Sequence, residues 1–275
     1  MELKRNNQNG TGQVTKYHDA IGAEFEGVLI LRAKLLSRRS FILGGIATLS
    51  YLYFDLHLIA VKRTIAISKL PVEFQGFTIL HLTDLHSKEY GAGQKHLIEL
   101  INRQQFDAVA MTGDLVDKSN PSMEPAVSLV KGLQSKPIFF VPGNHEWFTN
   151  YQIKSPLKDL GVHILGNGHF KYNLGNSHIW MLGVDDPYLG RDQLDMALSG
   201  VSDSEPKILL AHAPNIFPKA MKGNIDLVLA GHTHGGQVRL PLIGALVAPG
   251  QVNQGLLIYC GEVMMICLLN RCKKS

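Results

Sequence analysis

Ile225-Asp226-Leu227-Val228-Leu229-Ala230-Gly231-His232-Thr233-His234-Gly235-Gly236 is the stretch that decides the fold. A short apolar run stops abruptly in glycine and two histidines. Four earlier segments follow the same plan: Phe77–Thr83 ends at Asp84-Leu85-His86, Phe106–Gly113 at Asp114, Pro137–Gly143 at Asn144-His145, and Lys207–Ala211 at His212. Apolar runs of this length are typical of strands buried on both faces of a sheet. In open α/β sheets, sites form beyond the carboxyl ends of such strands. The five runs therefore bring Asp84, His86, Asp114, Asn144, His212, His232 and His234 to one edge, with His145 beside them. A lone His or Asp after a strand is more often a cap or turn residue than a ligand. Ordered recurrence at the same end of five runs argues for a shared site.

The donor set is imidazole, carboxylate and amide oxygen, with no thiolate. It suits Mn, Fe, Zn, Co or Ni better than a soft metal. Seven ligands exceed the four of a structural tetrahedral ion. They match two ions that share a bridging carboxylate, the arrangement that clamps attacking and leaving oxygens in phosphoryl displacement at a metal separation of about 3.5–4 Å.

Segments between the runs have helical spacing. Leu97, Ile98, Leu100 and Ile101 form one face, and Ala126, Val127, Val130 and Leu133 form another. Strands alternating with helices predict a largely parallel sheet. His178–Val184, after Gly175-Asn176, instead predicts antiparallel strands joined by a tight turn.

The ordered set Asp84-x-His86, Gly113-Asp114, Gly143-Asn144-His145, His212 and Gly231-His232-x-His234 resembles the calcineurin-like metallophosphoesterase superfamily. The resemblance runs from about Phe77 to Pro249. The longer strings Thr83-Asp84-Leu85-His86-Ser87, Gly143-Asn144-His145-Glu146 and Gly231–Gln237 resemble its bacterial branch of membrane-linked or exported phosphoesterases. The resemblance implies an α/β fold, a four-layer αββα sandwich with two central sheets and helices outside. It implies that Asp84, His86 and His234 hold a first metal, that Asn144, His212 and His232 hold a second, and that Asp114 and a water or hydroxide bridge them. Mn, Fe and Zn are the expected metals. The bridging water would attack phosphorus in line while the metals neutralise the phosphate oxygens.

His145 is a separate case. By the same resemblance it is no ligand but points at the leaving group, as a general acid or a stabiliser of developing charge. Gly113-Asp114-Leu115-Val116-Asp117 resembles the phosphoprotein-phosphatase form of this motif. There the second Asp pairs with that His, which gives Asp117 the role of orienting His145 and keeping it protonated. The alternative is that Asp117 caps the following loop. Glu146 is expected to hydrogen-bond behind the ligands. His81, inside the first run, is expected in the core or behind the ligands, and His96, His163, His169 and His178 have no motif context. The loop Asp185–Gly190 and the stretch Trp147–Pro156 are candidates for the substrate rim.

A length of 275 residues accommodates one sizeable α/β domain plus an extension. The net charge of +4 is modest, and no dense basic stretch interleaved with aromatics favours nucleic acid. Residues 1–36 form a polar N-terminal extension, read as a cytoplasmic tail or the product of a wrongly chosen start codon. Ser37-Arg38-Arg39-Ser40-Phe41-Ile42-Leu43 matches a twin-arginine export signal, and Phe41–Phe54 follows as an uncharged, mostly apolar run. Residues 37–60 are accordingly a signal or a membrane anchor. The run suits a signal core but is short for a span of about 20 residues, and carrying it to Ala60 includes Asp55 and His57. A buried helix in a soluble protein is the bland alternative. Residues 61–275 form the metallophosphoesterase domain.

Cys260, Cys267 and Cys272 all fall in the final stretch without C-x-x-C spacing, so no disulfide framework is expected. Beyond Pro249 the resemblance fades. Family members continue past a segment like Asn270-Arg271 with a glycine-rich loop and another core strand. The expectation for Gly250–Ser275 is a truncated or frame-shifted tail lacking a strand of the second sheet.

These observations predict a dinuclear metal-dependent phosphoesterase at, or exported across, a bacterial cytoplasmic membrane. Its expected partners are a phosphoester substrate, the twin-arginine translocon and the membrane. A phosphodiester or pyrophosphate of envelope or lipid is the expected substrate, since some relatives cleave UDP-diacylglucosamine between its phosphates. The rival is a catalytically silent metal-binding protein that keeps the fold. The Asp-x-His…Asp…Asn-His order speaks against a hydrolase of amide or lactam bonds.

Overall fold

Burial on both faces is what the five apolar runs require, and a pair of stacked sheets provides it. In this computed structural model the described residues are 60–133 and 135–234, Gly45 and Leu58 singly, the backbone of Val238–Leu240, Gly244–Val247 and Leu257–Tyr259, and Met264–Arg271. The chain divides into two units, Met1–His57 and Leu58–Ser275. The twin-arginine match Ser37–Leu43 and the N-terminal extension lie outside the described residues, as do Cys260 and Cys272. Among the described residues no helix is long and apolar enough to cross a membrane.

The first sheet contains β1 (Val61–Ile67), β2 (Thr78–Leu82), β3 (Ala108–Thr112), β4 (Ile138–Val141), β5 (His163–Ile164) and β13 (Met264–Arg271), in the order β1-β13-β2-β3-β4-β5. The second contains β6 (Gly168–Leu174), β7 (Ser177–Gly183), β8 (Lys207–Ala211), β9 (Leu227–Ala230) and β12 (Leu257–Tyr259), in the order β12-β9-β8-β7-β6. β10 (Val238–Leu240) and β11 (Gly244–Val247) pair separately. From β2 to β5, and from β7 through β12, every ladder is parallel. All five runs that end in candidate ligands are therefore parallel strands whose carboxyl ends point the same way within each sheet. β6 and β7 form the expected hairpin, turning at Gly175-Asn176.

Alternation along each strand builds the layers. Ile79, Ala108, Ala110, Phe139 and Val141 of the first sheet pack with Ile179, Met181, Ile208, Leu210, Leu227 and Leu229 of the second. This shared core places the sheets face to face. The intervening residues Leu80, Leu82, Val109, Met111 and Phe140 turn the other way, onto α1 (Lys95–Asn102), α2 (Glu124–Gly132), and the segment around Leu157. The outer face of the second sheet, through Leu182, Leu209 and Val228, packs on Leu194, Ala197, Phe217 and Ala220. The result is the expected four-layer αββα sandwich. The helical faces match the spacing: Leu97 and Ile101 are buried, with Ile98 and Leu100 partly buried beside them. Phe139 and Phe140 are both fully buried, on opposite faces of one strand. Each contributes roughly 1.5–3 kcal/mol of burial free energy.

β13 lies inside the stretch read as an atypical tail. It runs antiparallel to β2 and parallel to β1, with Met264, Met265, Ile266 and Cys267 buried. Cys267 is a free thiol, its pKa pushed up to about 12 chiefly by burial.

Candidate metal centre

The residues following β2, β3 and β9 leave the sheets through left-handed backbone. Asp84 (φ 55°), His86 (φ 48°), Asp114 (φ 52°), His232 (φ 67°) and His234 (φ 49°) all adopt it. For a non-glycine residue this conformation costs on the order of 1–2 kcal/mol. Its concentration on five predicted ligands shows where the fold tolerates strain to aim side chains. Close packing also dictates the glycines between them. A Cβ on Gly113 would lie 2.5 Å from the Gly143 nitrogen and 2.8 Å from His212 Nδ1, and one on Gly231 would run into Thr83 and Asp84.

Among the described residues three carboxylate–imidazole clusters converge here: Asp84, His86 and His234; Asp114, His212 and His232; and His86, Asp114 and His145. In the first, His234 Nε2 is 3.6 Å from Asp84 Oδ1 and 3.3 Å from His86 Nε2. In the second, His212 Nε2 is 3.2 Å from Asp114 Oδ2 and 3.1 Å from His232 Nδ1. Asp114 Oδ2 joins the clusters, since His86 Nε2 lies 3.8 Å away and His145 Nε2 3.9 Å. Ligands about 2.1 Å from a common ion sit about 3 Å apart at right angles. Ring nitrogens this close need a shared proton or a shared cation. Asn144 begins α3 (Asn144–Phe148), directly after the Gly143 that packs on Asp114 and His212. Its side-chain Oδ1 is buried without a hydrogen-bond partner among the described residues. An orphaned carbonyl oxygen beside converging imidazoles fits a metal ion, because burial without a partner is otherwise costly.

The surroundings set the tautomers and orientations. His212 Nδ1–H donates to the Thr112 carbonyl at 2.8 Å, which leaves Nε2 for a metal. Asp84 accepts from Thr83 Oγ1 at 2.8 Å and from the His232 amide at 3.0 Å. Asp114 Oδ1 accepts the His145 amide at 3.0 Å, which turns Oδ2 into the cluster. Burial depresses the pKa of His86 and of His232, which favours their neutral, ligating forms. Burial also opposes charge on His212, but Asp114 outweighs it and raises that imidazole to about 10. Burial alone would raise Asp114; His212 and His145 overcome it and hold the carboxyl well below the usual range.

Glu146 does more than the sequence led us to expect. Fully buried, its carboxylate accepts the amides of Asp114, Leu115 and Gly143, each at 2.7 Å, and that of Val116 at 3.3 Å. It fastens the loop after β3 to the loop after β4. Burial and the neighbouring Asp114 carboxylate raise its pKa to about 7, against the pull of those donors.

His145 Nδ1 accepts the Lys118 amide at 3.1 Å and sits 3.3 Å from His86 Nδ1. Asp117 Oδ2 lies 3.8 Å from His145 Nδ1 and 3.7 Å from His86 Nδ1. The other oxygen of Asp117 accepts the amides of Ser119 and Asn120, so the carboxylate also caps its own loop. His81 is buried between the sheets, with Nε2 2.7 Å from Thr112 Oγ1, and its pKa is lowered to about 3 by burial. His178 pairs with Glu205, His169 contacts the Ala197 carbonyl, and His163 stacks on Phe139, all away from the centre. His96 packs against Gly91.

Both rim segments reach the site. Trp147 Nε1 donates to Asp185 Oδ1 at 2.7 Å, and the Arg191 guanidinium lies 3.5 Å from the Trp147 ring centroid. Tyr188 leans on His232, with ring centroids 4.8 Å apart. Phe148 is exposed on α3 under the Lys118 ammonium. Asn167 and Asn215, which help hold the loop around Tyr188, carried no signal in the sequence because they act through contacts distant in the chain, whereas Asp186, inside the rim loop, accepts the amides two and three residues on.

The profile of the calcineurin-like phosphoesterase family matches residues 77–236, the span that contains all of these candidate ligands. The chain belongs to that family. It is 29% identical over 237 residues to the uncharacterized metallophosphoesterase YkuE of Bacillus subtilis, covering 78% of this chain and 83% of that one. It is 30% identical over 194 residues to a bovine (Bos taurus) transmembrane protein with metallophosphoesterase domain, covering 63% of this chain but 44% of the relative. Among solved structures it is similar to the sulfate thiohydrolase SoxB of Thermus thermophilus, at 12% identity and a TM-score of 0.46, covering 73% of this chain and 57% of that one.

Proposed function

We propose that this chain is a dinuclear metal-dependent phosphoesterase that cleaves a phosphodiester or pyrophosphate bond by in-line displacement. The position of Asp114 Oδ2 between the two ligand triads, 3.2 Å from His212 Nε2 and 3.8 Å from His86 Nε2, carries this reading. Asp84, His86 and His234 would hold one ion and Asn144, His212 and His232 the other, with Asp114 shared. Mn, Fe and Zn all suit these donors. When bound, two such ions lower the pKa of water to supply a nucleophile and neutralise charge on the phosphate oxygens. Glu146 keeps the Asp114 and Asn144 loops in register, and the Thr112 carbonyl keeps His212 in the ligating tautomer. His145 holds Nδ1 against the Lys118 amide, which leaves Nε2 to carry a proton toward a leaving oxygen. Asp117 supplies negative charge beside that ring.

The expected substrate is associated with envelope or lipid, of the UDP-diacylglucosamine type. The sequence strings shared with membrane-linked phosphoesterases support this, as does the likeness to a transmembrane relative. On the same grounds residues 37–60 serve as a twin-arginine signal or membrane anchor, residues 1–36 precede it, and residues 61–275 form the catalytic domain. Location bears on substrate: a domain facing the cytoplasm would meet lipid precursors, and an exported one would meet wall or scavenged phosphoesters.

Hydrolysis of bis-p-nitrophenyl phosphate by the purified chain, with Mn²⁺ or with EDTA, tests the function. Turnover that requires metal supports it. Folded, metal-loaded protein inert on both mono- and diesters would instead be a silent metal-binding protein.

A further inference from the structure

Tyr188 is 60% exposed, yet its position is closely defined. Its backbone sits in a loop fixed from several sides. The buried Asp186 carboxylate accepts the Tyr188 and Leu189 amides, each at 3.1 Å. Asn215 Nδ2 donates to the Pro187 carbonyl at 2.9 Å, and the Arg191 amide donates to the Asp186 carbonyl at 3.0 Å. Asp185 ties the same loop to Trp147, four residues along the chain from Gly143, through its 2.7 Å bond. Burying a carboxylate is costly unless it is well bonded. Here the bonds of Asp186 hold an exposed ring that adds nothing to the core. That ring leans on His232, tilted 38° at 4.8 Å, so it stands at the edge of the second ligand triad.

Resting on the phosphoesterase reading, we propose that Tyr188 is a specificity-determining residue. Its ring stacks against a planar ring carried by the phosphoester, as in a nucleoside phosphodiester. An aromatic side chain presents a π-face to any base at little entropic cost. Held beside a metal ligand, it would meet the group attached to phosphorus rather than phosphorus itself.

The test compares two p-nitrophenyl esters with the same leaving group, one of thymidine 5′-phosphate and one of methyl phosphate, using the full chain loaded with Mn²⁺. Wild type is expected to prefer the thymidine ester in kcat/KM. Tyr188→Ala should reduce that preference about 5- to 150-fold, the range for losing one stacked base. Tyr188→Phe should keep it and Tyr188→Leu should not. An unchanged ratio in Tyr188→Ala, or a preference kept by Tyr188→Leu, would overturn stacking. Calorimetry of thymidine 5′-monophosphate against inorganic phosphate gives a readout independent of turnover. Turnover of the methyl ester by wild type bears on the phosphodiesterase reading alone. If neither ester turns over, that reading fails and the affinity ratio decides: a fall in Tyr188→Ala supports stacking, and no change overturns it.

Discussion

Replacing Glu146 by glutamine removes the clamp between the loops after β3 and β4, which carry Asp114 and Asn144, while keeping its size. The carboxylate accepts the Asp114 and Gly143 amides on one oxygen and the Leu115 and Val116 amides on the other. Glutamine retains one acceptor oxygen and turns an NH₂ toward the remaining donors. Two hydrogen bonds to a charged acceptor disappear, at about 1.5–3 kcal/mol each, or roughly 3–6 kcal/mol together. Part returns, because the neutral amide escapes the burial that raises the carboxyl from 4.5 to about 7. The metal-free protein should therefore lose less than that sum, on the order of 1–3 kcal/mol. The loaded protein should lose more, since nearby cations favour the ionised carboxylate. Turnover should fall further than stability implies, because a displacement of about 1 Å at Asp114 can cost about 100-fold. Urea unfolding with and without Mn²⁺, beside kcat/KM on a diester, measures both effects. A variant within about 0.5 kcal/mol of wild type, with kcat/KM unaltered, would refute the clamp.

Removing His145 as His145→Ala should lower turnover about 10²–10⁴-fold on a diester with a poor leaving group, and less on p-nitrophenyl esters, which need little acid assistance. Metal content should stay at the wild-type level, measured by inductively coupled plasma mass spectrometry. The pH dependence of the metal-free protein follows from His212 and Glu146. The raised pKa of His212, about 10, gives stability that is complete below its unfolded value near 6.5 and lost as pH climbs toward 10. Glu146 acts in the same direction between 4.5 and about 7, where the unfolded carboxyl ionises more readily than the folded one. A metal takes the place of the His212 proton, so its stabilisation should grow with pH. The Tm increment from Mn²⁺ should be larger at pH 8 than at pH 6 in thermal scans; a smaller increment at pH 8 would contradict the linkage.

Much of the architecture could be read from the sequence because it rests on local pattern. β2, β3, β4, β8 and β9 lie within the five apolar runs, and Gly175-Asn176 turns the hairpin between β6 and β7. The placement of β13 between β1 and β2 was not legible, since strand order is chosen by packing across the whole sheet. At the site, the residues that cluster were legible from their recurrence at strand ends. Their left-handed backbone was not, because it follows from the close approach of the loops around Gly113, Gly143 and Gly231. Glu146 could be suspected from Gly143-Asn144-His145-Glu146, but its reach to Asp114, Leu115 and Val116 spans some thirty residues and emerges only in the folded chain. Asp186 and Asn167 likewise look like ordinary loop residues until the backbone amides they serve are placed.

Metal stoichiometry of wild type and Asp114→Asn, counted by inductively coupled plasma mass spectrometry on the same samples assayed for bis-p-nitrophenyl phosphate hydrolysis, tests the central claim most directly. A shared Asp114 carboxylate predicts about two ions per wild-type chain by the dinuclear arrangement, a loss of bound metal in the variant, and a parallel loss of turnover. One ion in the wild type, or an Asp114→Asn chain that keeps both its metal and its activity, would contradict it.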